Sequence, residues 1–258
     1  MMTKKGLKGG NESHNTTVKI IMKRIVVFCV IVVSLCTVFV VFLYFGILRF
    51  NYPDRKRFPI RGIDVSHHQQ SIDWGKLRHE NVRFAFIKAT EGGDFKDSLF
   101  VHNWHQAQHA KIVRGAYHFF TFCKPGKEQA QNFIETVPKE PHTLPPVIDL
   151  EFGGNCQARP SRQAFLKELT DYIDEIERVY HQAPMFYLTY EFYDQYLQGE
   201  LEAYSIWIRD IFKYPRLQDQ RKWDFWQYSN RGKLKGIETF VDLNVFHGDE
   251  IHFMKLLQ

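Results

Sequence analysis

Pro146-Val147-Ile148-Asp149-Leu150-Glu151 reads as a short buried strand that ends in two acids. Side chains alternate along a strand, so Asp149 and Glu151 share one face while Ile148 and Leu150 share the other. We expect the apolar pair to point toward covering helices. In parallel barrels the active site lies at the carboxyl ends of the strands, which is where this strand carries its acids.

Further strand patterns surround this one, and helical patterns separate the early ones. The eight predicted strands are Gly62–Val65, Phe84–Ala89, Val113–Phe119, Val147–Leu150, Met185–Thr189, Ser205–Ile208, Phe225–Tyr228 and Thr239–Leu243. The predicted helices are Trp74–Glu80, Ser98–Ala110, Lys127–Thr136 after a Pro125-Gly126 turn, and Arg162–Tyr180 with Ser161 as N-cap. Alternating strands and helices imply a parallel sheet. Because the last three strands leave little room for helices, we predict an α/β fold: an irregular (β/α) barrel of roughly five β/α units followed by three strands.

Acidic residues recur where predicted strands end. Asp64 ends the first strand and Asp242 the last, in addition to Asp149 and Glu151. The Asp149/Glu151 pair alone is more typical of two solvated acids at a strand end than of a site. Repulsion between carboxylates about 7 Å apart on strand geometry should raise one pKa. Glycoside hydrolysis requires such a pair, and acids from three strands on one rim favour a site over a purely structural role.

Aromatic residues occupy similar positions. Tyr117, Tyr187 and Trp207 lie near the ends of the third, fifth and sixth strands. Aromatic faces stack on the C–H faces of sugar rings, and their polar tips form hydrogen bonds. Other aromatics belong to the core, and we assign Phe84, Phe86 and Phe225 to it.

The N-terminal part differs from the rest in charge and hydropathy. The chain has 258 residues and a net charge of +5. Residues 1–57 have a net charge of +8, and residues 58–258 have a net charge of −3. The slight negative charge of this larger part argues against a nucleic-acid binder. Ile25 to Leu48 is an uncharged run of 24 residues, long enough to span a bilayer and longer than a signal-peptide core.

These patterns divide the chain into four segments. We predict a basic cytoplasmic segment at 1–24, a transmembrane helix at 25–48, a charged linker at 49–60 and a barrel domain at 61–258. The excess of Lys and Arg before the span favours a cytoplasmic N-terminus and a catalytic domain on the outer, periplasmic or extracellular, side.

The cysteine and histidine residues give weaker signals. Cys29 and Cys36 lie within the span, and Cys123 and Cys156 can form a disulfide outside the cytoplasm or remain two free thiols. Adjacent His67 and His68 would face apart on a strand. The sequence contains no metal-ligand spacing, dinucleotide fingerprint, P-loop or nucleophile elbow, so we expect no metal and no cofactor.

Seven short motifs together resemble the glycoside hydrolase family 25 lysozymes, the Chalaropsis-type N-acetylmuramidases. They run in family order over residues 61–247: Gly62–Ser66 followed by Ile72–Trp74, Phe86–Gly92, Gly115–Phe119, Pro146–Glu151, Trp226–Ser229 and Val241–Asn244. Each is weak alone, and the set is specific. The membrane span is not part of the family pattern.

The resemblance implies cleavage of the β-1,4 bond between N-acetylmuramic acid and N-acetylglucosamine in peptidoglycan. It implies Glu151 as general acid/base, Asp149 as its paired carboxylate, and Asp64 and Asp242 as further acids of the cleft. The residues that it implies to contact sugar are Tyr117, Tyr187, Trp207, Glu91 and Gln227.

One departure from the family pattern concerns the sixth strand. Similar enzymes often read Trp-Ile-Ala there, and this chain reads Trp207-Ile208-Arg209-Asp210. The added charges affect the expected fine specificity and leave the acids unchanged.

The sequence is compatible with more than one mechanism and with more than one function. Glu151 can protonate the leaving oxygen while Asp149 assists attack by the substrate's own acetamido group, or Asp64 or Asp242 can act as nucleophile. The alternative functions are a tethered, inactive peptidoglycan-binding module, a hydrolase of another β-1,4 N-acetylhexosamine glycan, and a membrane scaffold.

Overall fold

The computed structural model describes residues 9–48, 51–154 and 156–257, with side chains from Thr16 onward. The chain separates into two compact units, residues 1–49 and residues 50–258. The predicted boundaries at 24, 48 and 60 stay predictions, and the basic segment 1–24 lies partly outside the described residues.

The first unit consists of one long helix, α1, at Gly9–Tyr44. Its part from Thr16 to Tyr44 spans 29 residues and reaches a mean hydropathy of 3.2, so it is long and apolar enough to cross a membrane. The helix ends four residues before the predicted Leu48. Gly46 adopts a left-handed conformation (φ 66°), and the amide of Ile47 donates to the carbonyl of Phe42, which is how a glycine commonly ends a helix.

The second unit is a closed barrel of eight strands with one additional short strand. The strands are β1 Arg61–Val65, β2 Phe84–Glu91, β3 Phe95–Lys96, β4 Val113–Phe119, β5 Val147–Leu150, β6 Met185–Leu188, β7 Ile206–Arg209, β8 Phe225–Gly232 and β9 Val241–Phe246. The barrel follows the order β1-β2-β4-β5-β6-β7-β8-β9 and closes where β9 pairs with β1. The pairs from β1 to β8 are parallel, and β9 is antiparallel to both of its neighbours.

Helices follow the first five barrel strands. They are α2 Trp74–His79, α3 Phe100–His109, α4 Gly126–Thr136, α5 Arg162–Tyr180, and α6 Tyr190–Phe192, which continues into a π-turn at Tyr193–Leu197; α7 Glu250–Met254 ends the unit. The hydroxyl of Ser161 accepts from the amide of Ala164 and caps α5 as predicted. The predicted plan of five β/α units followed by three strands is confirmed.

β4 and β5 have their predicted bounds, the other predicted strands differ at one or both ends, and β8 continues to Gly232 instead of ending at Tyr228. β3 was not predicted; its two residues pair with Thr90 and Glu91 and form a small hairpin, and so short a strand gives no alternation to detect. β9 begins at Val241 and ends at Phe246, not at Thr239 and Leu243. It extends past Leu243 because Asn244 pairs with Gly62 and with Gln227 on the two neighbouring strands.

The strand faces are divided as the alternation predicts. Ile148 and Leu150 belong to the core between sheet and helices, whereas Phe84, Phe86 and Phe225 fill the inside of the barrel, all fully buried. Phe246 and Phe253 close the inside from below, with Phe253 in contact distance of Phe84 and Phe246. The barrel therefore presents an apolar aromatic layer beneath its upper rim.

Two peripheral features support the barrel. Residues 51–60, predicted as a linker, include the buried side chains of Phe58 and Ile60, and Phe58 packs on Trp226. Cys123 and Cys156 form a disulfide with their Cα atoms 5.8 Å apart. It joins the β4–α4 connection to the β5–α5 connection, and Cys29 and Cys36 are free in α1.

Candidate active site

A cavity of about 250 Å³ opens at the carboxyl ends of the parallel strands. Its lining residues are Asp64, Tyr117, Asp149, Glu151, Tyr187, Trp207, Arg209, Gln227, Asn230 and Asp242. The four acids that the sequence predicted to converge therefore share one cavity. They reach it because Asp64, Asp149 and Asp242 lie on inward-facing strand positions and Glu151 follows β5 directly.

Asp64 is held by a network of uncharged donors. Its Oδ2 accepts from Gln227 Nε2 at 2.9 Å and from Asn244 Nδ2 at 2.7 Å. The amides are oriented in turn, because Tyr187 donates its hydroxyl to Gln227 Oε1 at 3.0 Å and Trp207 donates Nε1–H to Asn244 Oδ1 at 2.8 Å. This network fixes the position of the Asp64 carboxyl group.

Asp64 and Asp242 are neighbouring carboxyl groups whose pKa values are both raised. The two residues are direct partners in the β1–β9 pairing. Burial raises the pKa of Asp64, while its hydrogen bonds from Asn244 and Gln227 oppose that rise. The pKa of Asp242 is raised well above its usual range by burial, by the nearby charge of Asp64 and by its hydrogen bond to Asp64. These directions favour a shared proton on Asp242 and make Asp64 the more readily ionised member of the pair.

Asp149 and Glu151 both have raised pKa values, and burial is the largest cause for each. For Asp149 the charge of Glu151 follows burial, and its pKa is raised well above the usual range. For Glu151 the charge of Arg209 opposes burial and the charge of Asp64 adds to it. Repulsion within this pair was predicted to raise one pKa. Burial raises the pKa of both residues and is the larger cause.

Two cations border the acids and differ in what they contact. Lys88 Nζ lies 2.7 Å from Glu91 Oε2, and Phe95 and Phe119 lie close to the ammonium group. Glu91 is thus paired with Lys88 and does not line the cavity. Arg209 does line it, and its Nη1 is 4.0 Å from Glu151 Oε2.

The three aromatics expected to bind sugar occupy different environments. Tyr117 is half-buried and lines the cavity, and burial raises the pKa of its hydroxyl so that it stays neutral. The Tyr187 hydroxyl already donates to Gln227. Trp207 is 2 % exposed and its ring stacks on Phe86 at 4.5 Å, so it forms part of the cavity floor.

Sequence reasoning did not assign roles to Asn244 and Asn230. Asn244 belongs to the Val241–Asn244 motif. As an uncharged residue near a strand end, it is recognisable as a partner of Asp64 only once β9 is placed between β1 and β8. Asn230 lies in β8 beyond the predicted end of that strand and is exposed at the cavity.

The rings of His67 and His68 do not face apart. The two residues form a 3₁₀ turn at His67–Gln69, with their ring centroids 4.1 Å apart. His67 Nδ1 is 2.7 Å from Oδ2 of the buried Asp97. Within the described ranges no group of three or more His, Cys, Asp or Glu side chains is arranged to hold a metal ion.

The arrangement separates two chemical roles among neighbouring carboxyl groups. Burial raises the pKa of all four carboxyl groups and so favours their protonated forms, while the amide donors oppose that rise at Asp64. A protonated carboxyl group can donate to a leaving oxygen, and an ionised one can stabilise positive charge.

The chain is similar in sequence and in fold to known glycoside hydrolases. The sequence profile described as Glycosyl hydrolases family 25 matches residues 63–237. The chain is 36 % identical over 198 residues to the uncharacterized protein YegX of Escherichia coli O157:H7, which covers 75 % of this chain and 71 % of that protein. It is 30 % identical over 213 residues to lysozyme M1 of Streptomyces globisporus, covering 76 % and 71 % of the two chains.

A solved structure shares the fold. The family 25 glycosyl hydrolase from Bacillus anthracis superposes with a TM-score of 0.76 and 44 % sequence identity. The match covers 81 % of this chain and 97 % of that one.

Proposed function

The chain belongs to glycosyl hydrolase family 25 and is a glycoside hydrolase with lysozyme activity, and from this premise we propose that it cleaves the β-1,4 bond between N-acetylmuramic acid and N-acetylglucosamine, with Glu151 as general acid/base. The observation that carries the proposal is the convergence of Glu151, Asp149, Asp64 and Asp242 on one cavity. Peptidoglycan is the substrate that lysozyme homologues support.

Glu151 is suited to donate a proton to the leaving oxygen. Its side chain is 27 % exposed, whereas Asp64 and Asp149 are each 7 % exposed as residues. Burial raises its pKa, which favours the protonated form that a general acid needs. Its greater accessibility favours Glu151 over Asp64 and Asp149 as the proton donor.

Asp149 is suited to assist the substrate's acetamido group. Its Oδ1 is buried and has no hydrogen-bond partner among the described residues. An acetamido N–H can supply the missing donor. When the Asp149/Glu151 pair holds one proton, the reactive arrangement places it on Glu151 and leaves Asp149 ionised.

The proposed reaction then proceeds in two steps. The acetamido carbonyl oxygen attacks the anomeric carbon while Glu151 protonates the departing oxygen, and Asp149 stabilises the positive charge on the cyclised group. Water then adds to the anomeric carbon, gives its proton to Glu151 and reopens the ring with retained configuration. The hydrogen bonds to Asp64 and the proton on Asp242 lower the nucleophilicity of both, which disfavours direct attack by either.

We further propose that α1 anchors the enzyme in the membrane with its N-terminus in the cytoplasm. The apolar segment Thr16–Tyr44 supports an anchor or a signal sequence. The basic residues before it favour the inside orientation, and a substrate in the cell wall requires the barrel on the outer side.

The decisive experiment compares glycan products from wild type and Glu151→Gln. The full chain in mild detergent is incubated with purified peptidoglycan, and new reducing ends are identified by mass spectrometry. We expect reducing-end muramic acid from wild type and at least about 100-fold less from Glu151→Gln. Glu202→Gln is the matched control, since Glu202 is exposed and lies outside the cavity.

Three other results would refute parts of the proposal. Reducing-end N-acetylglucosamine would mean that a different bond is cut. Binding to the wall without release by wild type would indicate a tethered, inactive binding module. An inverted product anomer, seen by NMR, would exclude the acetamido-assisted route.

A further inference from the structure

Arg209 has a charge that the protein itself leaves largely unpaired. Its side chain is 35 % exposed and lines the cavity. Among the described residues it makes no hydrogen bond, and its nearest ion-pair contact, to Glu151 Oε2, is 4.0 Å long. That distance is too long for a hydrogen bond, so the five N–H donors of the guanidinium are available to a ligand.

The surroundings of Arg209 make it distinctive. It follows the buried Trp207 by two positions on β7, so it points to the same inner side as Trp207 and pairs in register with Gln227 on β8. Lys88, the neighbouring cation, is engaged by Glu91 at 2.7 Å. Within the described residues Arg209 is the only cation that lines the cavity.

A purely structural counter-ion would be placed differently. Buried or half-buried arginines that stabilise carboxylates commonly form short, paired N–H···O bonds. Here Glu151, Asp64 and Asp242 surround Arg209, yet no carboxyl oxygen lies within hydrogen-bond distance of it. The geometry suits a planar anion that enters from the open side and meets the guanidinium fork.

We propose that Arg209 binds a carboxylate of the muramyl residue next to the bond that is cut, and thereby selects substrates that carry this charge. The inference rests on the proposed muramidase function. Two parts of the substrate can supply the carboxylate. One is the lactyl group of a muramic acid without a stem peptide, and the other is a carboxylate of the stem peptide itself.

The two sources have different consequences. When a stem peptide is attached, its amide bond removes the lactyl charge. Selection for a free lactyl group would therefore require a preceding amide hydrolysis that releases the peptide. Selection for a peptide carboxylate would place the enzyme on intact strands.

The test measures kcat/KM on three matched glycans with the full chain in detergent. The first is a peptide-free glycan with free lactyl carboxylates, the second is the same glycan after conversion of these groups to neutral methylamides, and the third carries stem peptides. We expect wild type to prefer one carboxylate-bearing glycan over the methylamide by about tenfold or more, mainly through KM. Arg209→Gln should bring that ratio close to one, and Arg209→Lys should restore part of it.

The controls separate this inference from the proposed function. Arg178→Gln, on the outer surface of α5, should keep the wild-type ratio, since Arg178 pairs with Glu175 there. If Arg209→Gln changes all three rates by the same factor, or changes none, carboxylate recognition is refuted while the muramidase function stands. If wild type releases no muramic acid from any glycan, the proposed function fails instead.

Binding provides a second readout that does not need turnover. In a Glu151→Gln background, Arg209→Gln should raise the Kd for the preferred carboxylate-bearing fragment. The ratio of this Kd to the Kd for the methylamide should then be close to one. Equal Kd values for the two fragments before the Arg209 change would overturn the inference.

Discussion

Asp64 and Asp242 lie directly opposite each other where β1 and β9 close the barrel. Like charges opposite each other in a sheet are destabilising. A proton on Asp242 removes that cost, and it is favoured because burial and the Asp64 charge raise the pKa of Asp242 well above its usual range. Gln227 and Asn244 donate to Asp64, so the two carboxyl groups of one strand pair differ in their hydrogen-bond partners.

The two members of this pair should respond differently to amide substitution. Asp242→Asn replaces a protonated donor with another donor, and we expect a change in the free energy of unfolding below about 1 kcal/mol. Asp64→Asn brings an amide donor against the donors of Gln227 and Asn244, and we expect a loss of about 2 kcal/mol. Tryptophan fluorescence during thermal unfolding measures both, because all 5 tryptophans lie in the barrel unit. Equal losses would contradict the assignment of the proton to Asp242.

Burial of Asp149 should make stability depend on pH. The unfolded chain ionises an aspartate near pH 3.9, and the folded chain ionises Asp149 only at higher pH because burial and Glu151 raise its pKa. Between these two values the folded state binds more protons, so the free energy of unfolding falls as the pH rises. Asp149→Asn should flatten this dependence and raise the Tm at neutral pH, while activity falls by about 100-fold.

Asp174→Asn is the matched control for that prediction. Asp174 is exposed on α5, so we expect the wild-type pH dependence and activity. A Tm for Asp149→Asn that falls below wild type at neutral pH would show that the buried carboxyl group stabilises the fold.

Asn244 should be important for both stability and activity. Asn244→Ala leaves Trp207 Nε1–H without its acceptor and removes one donor from Asp64. We expect a loss of about 2 kcal/mol in the free energy of unfolding and at least about tenfold in kcat. Asn244→Asp keeps the acceptor but adds an acid beside Asp64, so it should lower kcat further and recover part of the stability at low pH. Wild-type stability in both variants would contradict the network.

The sequence predicts the barrel well because most residues of its strands are buried. Val147–Leu150 and Arg162–Tyr180 were placed with their observed bounds, since a continuous apolar run and a long amphipathic period are strong local signals. The end of β9 was misplaced because Asn244 is polar, and its place in the sheet depends on β1 and β8, which are distant in sequence. β3 is too short to show any period.

The sequence predicts which acids line the site, but it does not predict how far each pKa is raised. Strand alternation indicates which face Asp149 and Asp64 occupy, but burial depends on the aromatic layer formed by Phe84, Phe86 and Phe225. The uncharged partners of Asp64 escaped notice because an amide has no distinctive spacing. The protonation of a carboxyl group is thus a tertiary property.

The proposed anchor predicts how the protein partitions in cells. We expect the mature chain to retain α1, to resist extraction from membranes by alkaline carbonate, and to lose its barrel unit to protease added outside intact spheroplasts. The apolar length of Thr16–Tyr44 is the reason. A mature N-terminus beyond Leu48 would show a signal sequence instead, and protection from protease would show the opposite orientation.

The Cys123–Cys156 disulfide should contribute to both stability and activity, because it connects two loops of the site. The cysteines are 33 positions apart, and a loop of that length corresponds to a stabilisation of about 4 kcal/mol. Cys156 follows Glu151 by five positions, so the bond also restrains the segment that carries Glu151. We expect Cys123→Ser/Cys156→Ser to lower the Tm and the rate of glycan release, and dithiothreitol to lower them in wild type but not further in this variant.

Cys29→Ser/Cys36→Ser is the control and should leave both quantities unchanged, since these thiols are free in α1. If the reductant leaves the Tm of wild type unchanged while labelling shows Cys123 and Cys156 to be free thiols, the bond does not support the fold. If the Tm falls but glycan release is maintained below it, the restraint on Glu151 is not needed for catalysis.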